Sequence, residues 1–113
     1  MKIKDIAQIL SAEILTPEID TNTEVHTACG SDMMSDVLAY VKDQAVLITG
    51  LNNPQVIRTA NMMDMVCVVY ARGKKPDRLS IELAKESNIC VLTTEKPMFT
   101  CCGMLYEKGL RGA

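Results

Sequence analysis

The residues best suited to chemistry lie in three polar loops, each placed between an apolar run and an amphipathic segment. The loop richest in charge contains Arg72, Gly73 and Lys74. Guanidinium and ammonium groups suit a phosphate or carboxylate, especially beside a helix N-terminus, where free N–H groups and the helix dipole favour anions. The alternative interpretation is a solvated loop of long side chains between buried elements.

The other two loops supply neutral hydrogen-bonding groups and a glycine that permits close approach of the backbone. They contain Thr49, Gly50, Asn52 and Asn53 in one case, and Thr93 and Thr94 in the other. Neither the P-loop pattern GxxxxGK[ST] nor the dinucleotide pattern GxGxxG occurs. Turn formation and helix capping also explain these residues. Together, however, the three loops predict one polar rim.

The cysteines and the single histidine predict neither a metal site nor a cofactor. Cys101 and Cys102 are adjacent on a predicted helix, so their side chains diverge by about 100°. His26 and Cys29 are three apart on a predicted strand, on opposite faces. The cysteine count is odd and contains no CxxC pair, which favours reduced thiols that fill the core.

Three consecutive strand–helix units position the polar loops. The strands are continuous apolar runs, predicted over residues 45–48, 65–70 and 89–92. Each following helix begins near a proline, at Pro54, Pro76 or Pro97. Apolar runs of this kind are typical of a parallel sheet covered on both faces. The fold class is therefore α/β, a three-layer-like domain with a central, mainly parallel sheet, whose C-terminal edge carries the loops.

Shorter elements precede these units. We expect a helix with Ile3, Ile6, Ala7 and Leu10 on one face, and strands over residues 12–15 and 23–29. Ser31 or Asp32 caps the next helix, and residues 42–44 form a solvated turn. That helix is expected to turn one face inward, formed by Met34, Val37, Leu38 and Val41.

The last two helices have broad apolar stripes. In the first, Leu79, Leu83 and Ala84 are expected to point inward, and Ile81 lies on the other face. Gly109 supplies a C-cap to the second. Its inward residues are predicted to be Met98, Phe99, Cys102, Leu105 and Tyr106.

Composition bounds the class of protein. The chain has 113 residues and a net charge of −2, which gives no electrostatic basis for binding nucleic acid or an anionic membrane. We expect one domain over residues 1–113. No apolar stretch approaches the ~20 residues of a membrane span, and no signal peptide is evident, so a cytoplasmic location is expected. Eight methionines suit an adaptable contact surface, which favours a homodimer.

The chain resembles the DRTGG domain family over nearly its whole length. The resemblance rests on the segments GSDMMSDVL at 30–38, LITGLNNPQVIRTA at 47–60, RGKKP at 72–76 and MFTCCG at 98–103. It implies an α/β domain that is often dimeric. Related domains accompany CBS domains in some inorganic pyrophosphatases, and stand-alone members occur near hydrogenase genes. No catalytic residue is carried over, but Asp36, Arg58 and Thr59 match the densest segments.

Three functional hypotheses follow. The leading one is a non-catalytic regulatory and dimerisation module that binds a small anionic metabolite or nucleotide at the C-terminal edge of the sheet. The alternative is an accessory subunit of a metabolic enzyme system, for example a hydrogenase-linked one, without a small ligand. The third is an enzyme that uses His26 or a thiol such as Cys29.

Overall fold

A computed structural model of the chain describes residues 1–41 and 43–112. The helices are α1 (Ile3–Ile9), α2 (Met34–Tyr40), α3 (Gln55–Met62), α4 (Arg78–Glu86) and α5 (Met98–Glu107). The strands are β1 (Glu13–Ile14), β2 (Thr27–Gly30), β3 (Ala45–Thr49), β4 (Cys67–Tyr70), β5 (Cys90–Thr93) and β6 (Arg111–Gly112).

The six strands form a single sheet in the order β1-β5-β4-β3-β2-β6. Strands β2 to β6 run parallel, and β1 pairs antiparallel with β5. The predicted α/β fold with a mainly parallel sheet is confirmed. The terminal strand β6 and its pairing with β2 were not predicted, because two residues carry no periodic signal.

The order of the strands decides which face each helix covers. From β2 to β5, each strand lies beside the previous one, and the chain always steps in the same direction across the sheet. Because the crossovers between parallel strands are right-handed, α2, α3 and α4 all lie on the same face. From β5 the chain returns across the sheet to β6, and α5 therefore lies on the opposite face beside α1. The layers are helices, sheet and helices.

Each face of the sheet has its own apolar core. Beneath α2–α4, the core includes Val37, Leu47, Ile57 and Val68. Beneath α1 and α5, it includes Ile6, Ile48, Leu92, Cys101 and Leu105. Strands β3, β4 and β5 are buried along their whole length. This explains why their sequences are continuously apolar rather than alternating.

Several residues that were predicted to point inward from the helices are exposed instead. Phe99 is 90% exposed and Tyr106 60% exposed, whereas α5 buries the smaller Cys101 together with Leu105. Leu38 and Leu79 are also exposed, and Ile81 packs partly into the core instead. The apolar stripe of α5 is wider than the face that a sheet can cover, so its largest residues remain outside.

Local boundaries differ from the prediction by a few residues. α4 begins at Arg78 rather than at Pro76, because the Asp77 carboxylate caps it by accepting the Ser80 N–H at 2.8 Å. Gly109 has φ +107, which confirms its role at the end of α5. Of the predicted turn at 42–44, Lys42 lies outside the described residues. Asp43 and Gln44 both adopt positive φ.

None of the helices within residues 1–41 and 43–112 is long and apolar enough to cross a membrane.

Candidate functional site

Four consecutive strand–helix loops meet around one cavity at the C-terminal edge of the sheet. The cavity has a volume of about 360 Å³ and is lined by Asp32, Gly50, Ala71, Arg72, Lys74, Pro97 and Met98. Asp32 follows β2, Gly50 follows β3, and the residues from 71 to 74 follow β4. Pro97 follows β5, and Met98 is the first residue of α5. The cavity opens where α5 leaves toward the opposite face from α2–α4. In open α/β sheets, ligands bind at this kind of crevice.

One wall of the cavity is built around Asp32. Its Oδ1 accepts hydrogen bonds from the Gly50 N–H at 2.7 Å and from the Thr49 hydroxyl at 2.9 Å. The Thr49 oxygen in turn accepts the Leu51 N–H at 3.1 Å. The Gly50 N–H is therefore hydrogen-bonded to a carboxylate of the protein and is not available to a ligand.

The basic loop forms a tight turn on the other side of the cavity. Arg72 and Gly73 have φ of +58 and +71, and the Lys74 N–H donates to the Ala71 carbonyl at 3.1 Å. Positive φ at both central residues is the pattern of a type I′ turn, which a glycine adopts without strain. The Arg72 and Gly73 N–H groups donate to the carbonyls of Lys96 and Thr94. These N–H groups hold two loops together and are not free for an anion.

The N-terminus of α4 is also occupied. The Asp77 carboxylate accepts a hydrogen bond from the Ser80 backbone N–H, and this bond lowers the pKa of the Asp77 carboxyl. Carboxylates of the protein thus accept both the Gly50 N–H and the Ser80 N–H, and the second of these lies at the helix N-terminus where the sequence suggested an anion. The cations at the cavity are the side chains of Arg72 and Lys74, and they lie beside the N-terminus of α5, which has no side-chain cap. Neither takes part in an ion pair within the described residues.

The other predicted site residues hold the loops in place. The Asn52 amide donates to the Lys75 carbonyl at 3.1 Å, and Asn53 Oδ1 accepts the Gln55 N–H at the start of α3. The Thr93 hydroxyl donates to the Lys74 carbonyl at 2.7 Å, and the Thr94 hydroxyl to the Leu10 carbonyl at 2.8 Å. The two threonines also line a separate cavity of about 200 Å³.

Three residues that match the family segments lie away from the cavity lining. Asp36 and Arg58 are exposed on α2 and α3. Thr59 is buried on α3, and its hydroxyl has no hydrogen-bond partner within the described residues. Tyr70 and Ser80 share this property. A structural role for Thr59 in the α2–α4 core fits this position.

The histidine and the thiols are dispersed. His26 precedes β2, at the opposite end of the strand from the cavity, and its Nδ1 lies 3.1 Å from Asp43 Oδ2. Burial raises the pKa of the Cys29 thiol, and the neighbouring Cys102 and Asp36 add to this. Residues 1–41 and 43–112 contain no group of three or more His, Cys, Asp or Glu side chains that could hold a metal ion.

Sequence reasoning assigned Asp32 to helix capping and did not place it in the site. In the structure, α2 begins at Met34 without a side-chain cap, and Ser31 Oγ accepts the Met33 N–H at 3.0 Å. The sequence does contain a signal that Asp32 belongs to the site, because Asp32 follows β2 in the same way that Gly50 follows β3. Counting β2 among the parallel strands places both residues at the same edge.

Comparison with known proteins agrees with this architecture. No curated protein matches the chain. A solved structure of the CBS and DRTGG domains of the regulatory region of Clostridium perfringens pyrophosphatase, complexed with the activator diadenosine tetraphosphate, superposes with a TM-score of 0.71 at 21% identity. The match covers 91% of this chain and 45% of that chain, so the present chain spans less than half of its length. The family model of the DRTGG domain matches residues 5–107. The chain belongs to the DRTGG domain family.

Proposed function

We propose that this protein is a non-catalytic regulatory module that binds a small anionic metabolite or nucleotide in the cavity at the C-terminal edge of its sheet. The observation that carries the proposal is the pair of cationic side chains, Arg72 and Lys74, which line the cavity without an ion pair in the described structure. Cations that lie in a concave site without an ion-pair partner attract anions. A volume of about 360 Å³ also suits a small molecule.

The chemistry of the lining narrows the ligand class. The Asp32 carboxylate faces the same cavity as the two cations, and Ala71, Pro97 and Met98 add apolar surface. A matching ligand carries an anionic group for the cations, a hydroxyl or amine for Asp32 and an apolar body. A nucleotide has all three. The nucleotide activator in the pyrophosphatase regulatory region supports this choice.

The site is tested by replacing its two cations together. Arg72→Ala with Lys74→Ala is expected to abolish thermal stabilisation by AMP, diadenosine tetraphosphate or pyrophosphate without unfolding the protein. A ligand at 100 times its Kd adds about 2.7 kcal/mol to the free energy of unfolding. In a domain of this size that raises the Tm by on the order of 10 °C.

Lys4→Ala with Lys108→Ala is the matched control, because it removes the same charge from exposed positions outside the cavity. The site assignment fails if calorimetry gives the same ligand affinity for the cavity variant and the control. The ligand-binding proposal itself fails if none of the three anions stabilises the wild-type protein.

Asp32 gives a second prediction with the opposite sign. Asp32→Asn removes a negative charge from the cavity, and a like charge within the same site costs an anion on the order of 1–3 kcal/mol at the effective dielectric of a protein surface. We therefore expect inorganic pyrophosphate to bind about tenfold more tightly to the variant by calorimetry. Nucleotides gain less, because they lose the acceptor for their hydroxyl groups. Weaker pyrophosphate binding to Asp32→Asn would contradict an anion site at this cavity.

A second candidate function is that of an accessory subunit in a metabolic enzyme system, acting without a small ligand. It is favoured by four exposed apolar side chains. These are Met33 at the N-cap of α2, Leu38 and Tyr40 in α2, and Met62 in α3. A stable complex with a defined host enzyme, lost on Tyr40→Asp with Met62→Asp, would support it. Either function is compatible with the homodimer that we also propose.

A further inference from the structure

The outward face of α5 carries the most exposed aromatic side chain of the described structure. Phe99 is 90% exposed and Tyr106 60% exposed, and the two line one open apolar surface with Cys102, Gly103 and Glu107. Phe99, Cys102, Gly103 and Tyr106 are spaced i, i+3, i+4 and i+7, so they form one stripe along the helix. We call this stripe the α5 face.

The residue spacing of the α5 face is symmetric about the bond between Cys102 and Gly103, and the Arg111 guanidinium lies 4.0 Å from the centre of the Tyr106 ring at one end. One aromatic residue lies at each end, and two small residues lie in the middle. In an antiparallel pair of α5 helices related by a two-fold axis at this point, Phe99 meets Tyr106 of the second copy. Gly103 then lies opposite the backbone of Cys102 in that copy, since the half-buried Cys102 thiol is turned toward Gly30 of its own sheet. This pattern fits itself, as an isologous interface requires.

Gly103 supports a close helix contact at the axis. No described atom lies within 4 Å of a Cβ built at this position, so the protein's own packing does not require a glycine there. A glycine inside a helix is destabilising relative to alanine. Small residues allow two helix backbones to approach closely, and the aromatic rings on either side then pack around the contact.

The charges at the two ends of α5 are also arranged for an antiparallel neighbour. Lys96 precedes the helix at its positive dipole end, and Glu107 lies in its last turn at the negative end, so each is unfavourable within one copy. Neither forms an ion pair within residues 1–41 and 43–112. The nearby Glu95 is turned toward Gly73. An antiparallel second helix brings each charge to the opposite dipole end and near its opposite charge.

We propose that the α5 face is the two-fold interface of a homodimer, with Phe99 and Tyr106 as its anchors. A buried aromatic side chain covers about 150–250 Å², so these two contribute about 300 Å² of the ~800 Å² that each partner gives to a standard interface. This inference rests on the proposed homodimer and specifies its surface. It differs from the α2–α3 surface, whose exposed residues include Tyr40 and Met62.

Sedimentation velocity over a wide concentration range tests the interface. Phe99→Asp is expected to raise the dimer Kd at least 100-fold, because it places a carboxylate at an apolar anchor. Met62→Asp, a matched change at a side chain 66% exposed on α3, leaves the Kd unchanged. Urea unfolding confirms that both variants remain folded.

A charge exchange identifies a second copy as the occupant. Chains with Lys96→Glu alone, or with Glu107→Lys alone, place like charges together and are expected to dimerise at least tenfold more weakly. A mixture of the two variants restores opposite pairs and forms heterodimers. A wild-type protein that is monomeric throughout overturns both the homodimer and its interface. A dimer that responds to Met62→Asp but not to Phe99→Asp or the charge exchange overturns the α5 face alone.

Discussion

Gly30→Ala is expected to lower the free energy of unfolding by about 2 kcal/mol and the Tm by roughly 8 °C. Gly30 ends β2 directly beneath α5, and a Cβ at this position would lie 2.5 Å from Cys102 Sγ. Carbon and sulfur atoms do not approach so closely without a shift of about 1 Å. Rotation of the half-buried Cys102 thiol relieves part of the clash, and the rest falls on α5, which the buried Cys101 and Leu105 hold in place.

The steric cause can be isolated by a double-mutant cycle measured by urea unfolding. Cys102→Ala removes the clashing sulfur, so Gly30→Ala in that background is expected to be neutral or stabilising by up to ~1 kcal/mol, since alanine restricts the unfolded chain more than glycine. Cys102→Ala alone changes little, because this thiol is only half-buried. A Gly30→Ala cost that persists in the Cys102→Ala background would show that the sulfur is not its cause.

The same helix illustrates what the sequence could and could not predict about the fold. The strand–helix alternation from β3 to α5 could be predicted, because fully buried strands require continuous apolar runs and each helix begins beside a proline or an asparagine. The side of α5 that is buried against the sheet could not be predicted. Its orientation depends on the return of the chain from β5 across the sheet to β6, a strand too short to leave a pattern.

The candidate site was predictable in position but not in chemistry. Parallel topology alone places Gly50, Arg72 and Lys74 at one edge, and the structure gathers these three around one cavity. Which donors remain available depends on contacts between loops. Asp32 reaches the Gly50 N–H across 18 positions of sequence, and no local pattern specifies such a bond. Asp32 therefore occupies the Gly50 N–H, and the cavity keeps the side chains of Arg72 and Lys74 as its cations.

A marked loss of stability above pH 9 is the second large effect that we expect. Burial, with a smaller contribution from Cys102, raises the pKa of the Cys101 thiol from 9.0 to about 11. Burial also raises the pKa of Tyr70 well above its ordinary value of 10.0, and the nearby Asp77 adds to this. The hydrogen bond between the Cys67 and Cys90 thiols raises the pKa of Cys67 and lowers the pKa of Cys90. The expected loss of stability at high pH therefore rests on Cys101 and Tyr70.

The direction of the pH effect on stability depends on whether the native or the unfolded state holds the proton. Between the ordinary and the folded pKa, the native protein keeps a proton that the unfolded chain has released, so the free energy of unfolding falls as the pH rises. The stabilisation from Cys101 is complete below pH 9 and is lost toward pH 11. That from Tyr70 is complete below pH 10 and is lost above it. Each group contributes up to about 1.4 kcal/mol per pH unit.

Tyr70→Phe separates the tyrosine from the thiols. The Tyr70 hydroxyl is buried without a hydrogen-bond partner in the described structure, so its removal is expected to stabilise the protein by up to ~1 kcal/mol at pH 7. Above pH 10 the advantage grows with each pH unit, because the variant has no buried phenol to ionise. Tyr40→Phe is the control, since Tyr40 is 68% exposed. Urea unfolding under reducing conditions from about pH 7 to about pH 11.5 measures both. Equal slopes for wild type and Tyr70→Phe above pH 10 would show that the phenol does not stay protonated in the core, and would place the alkaline loss on the thiols alone.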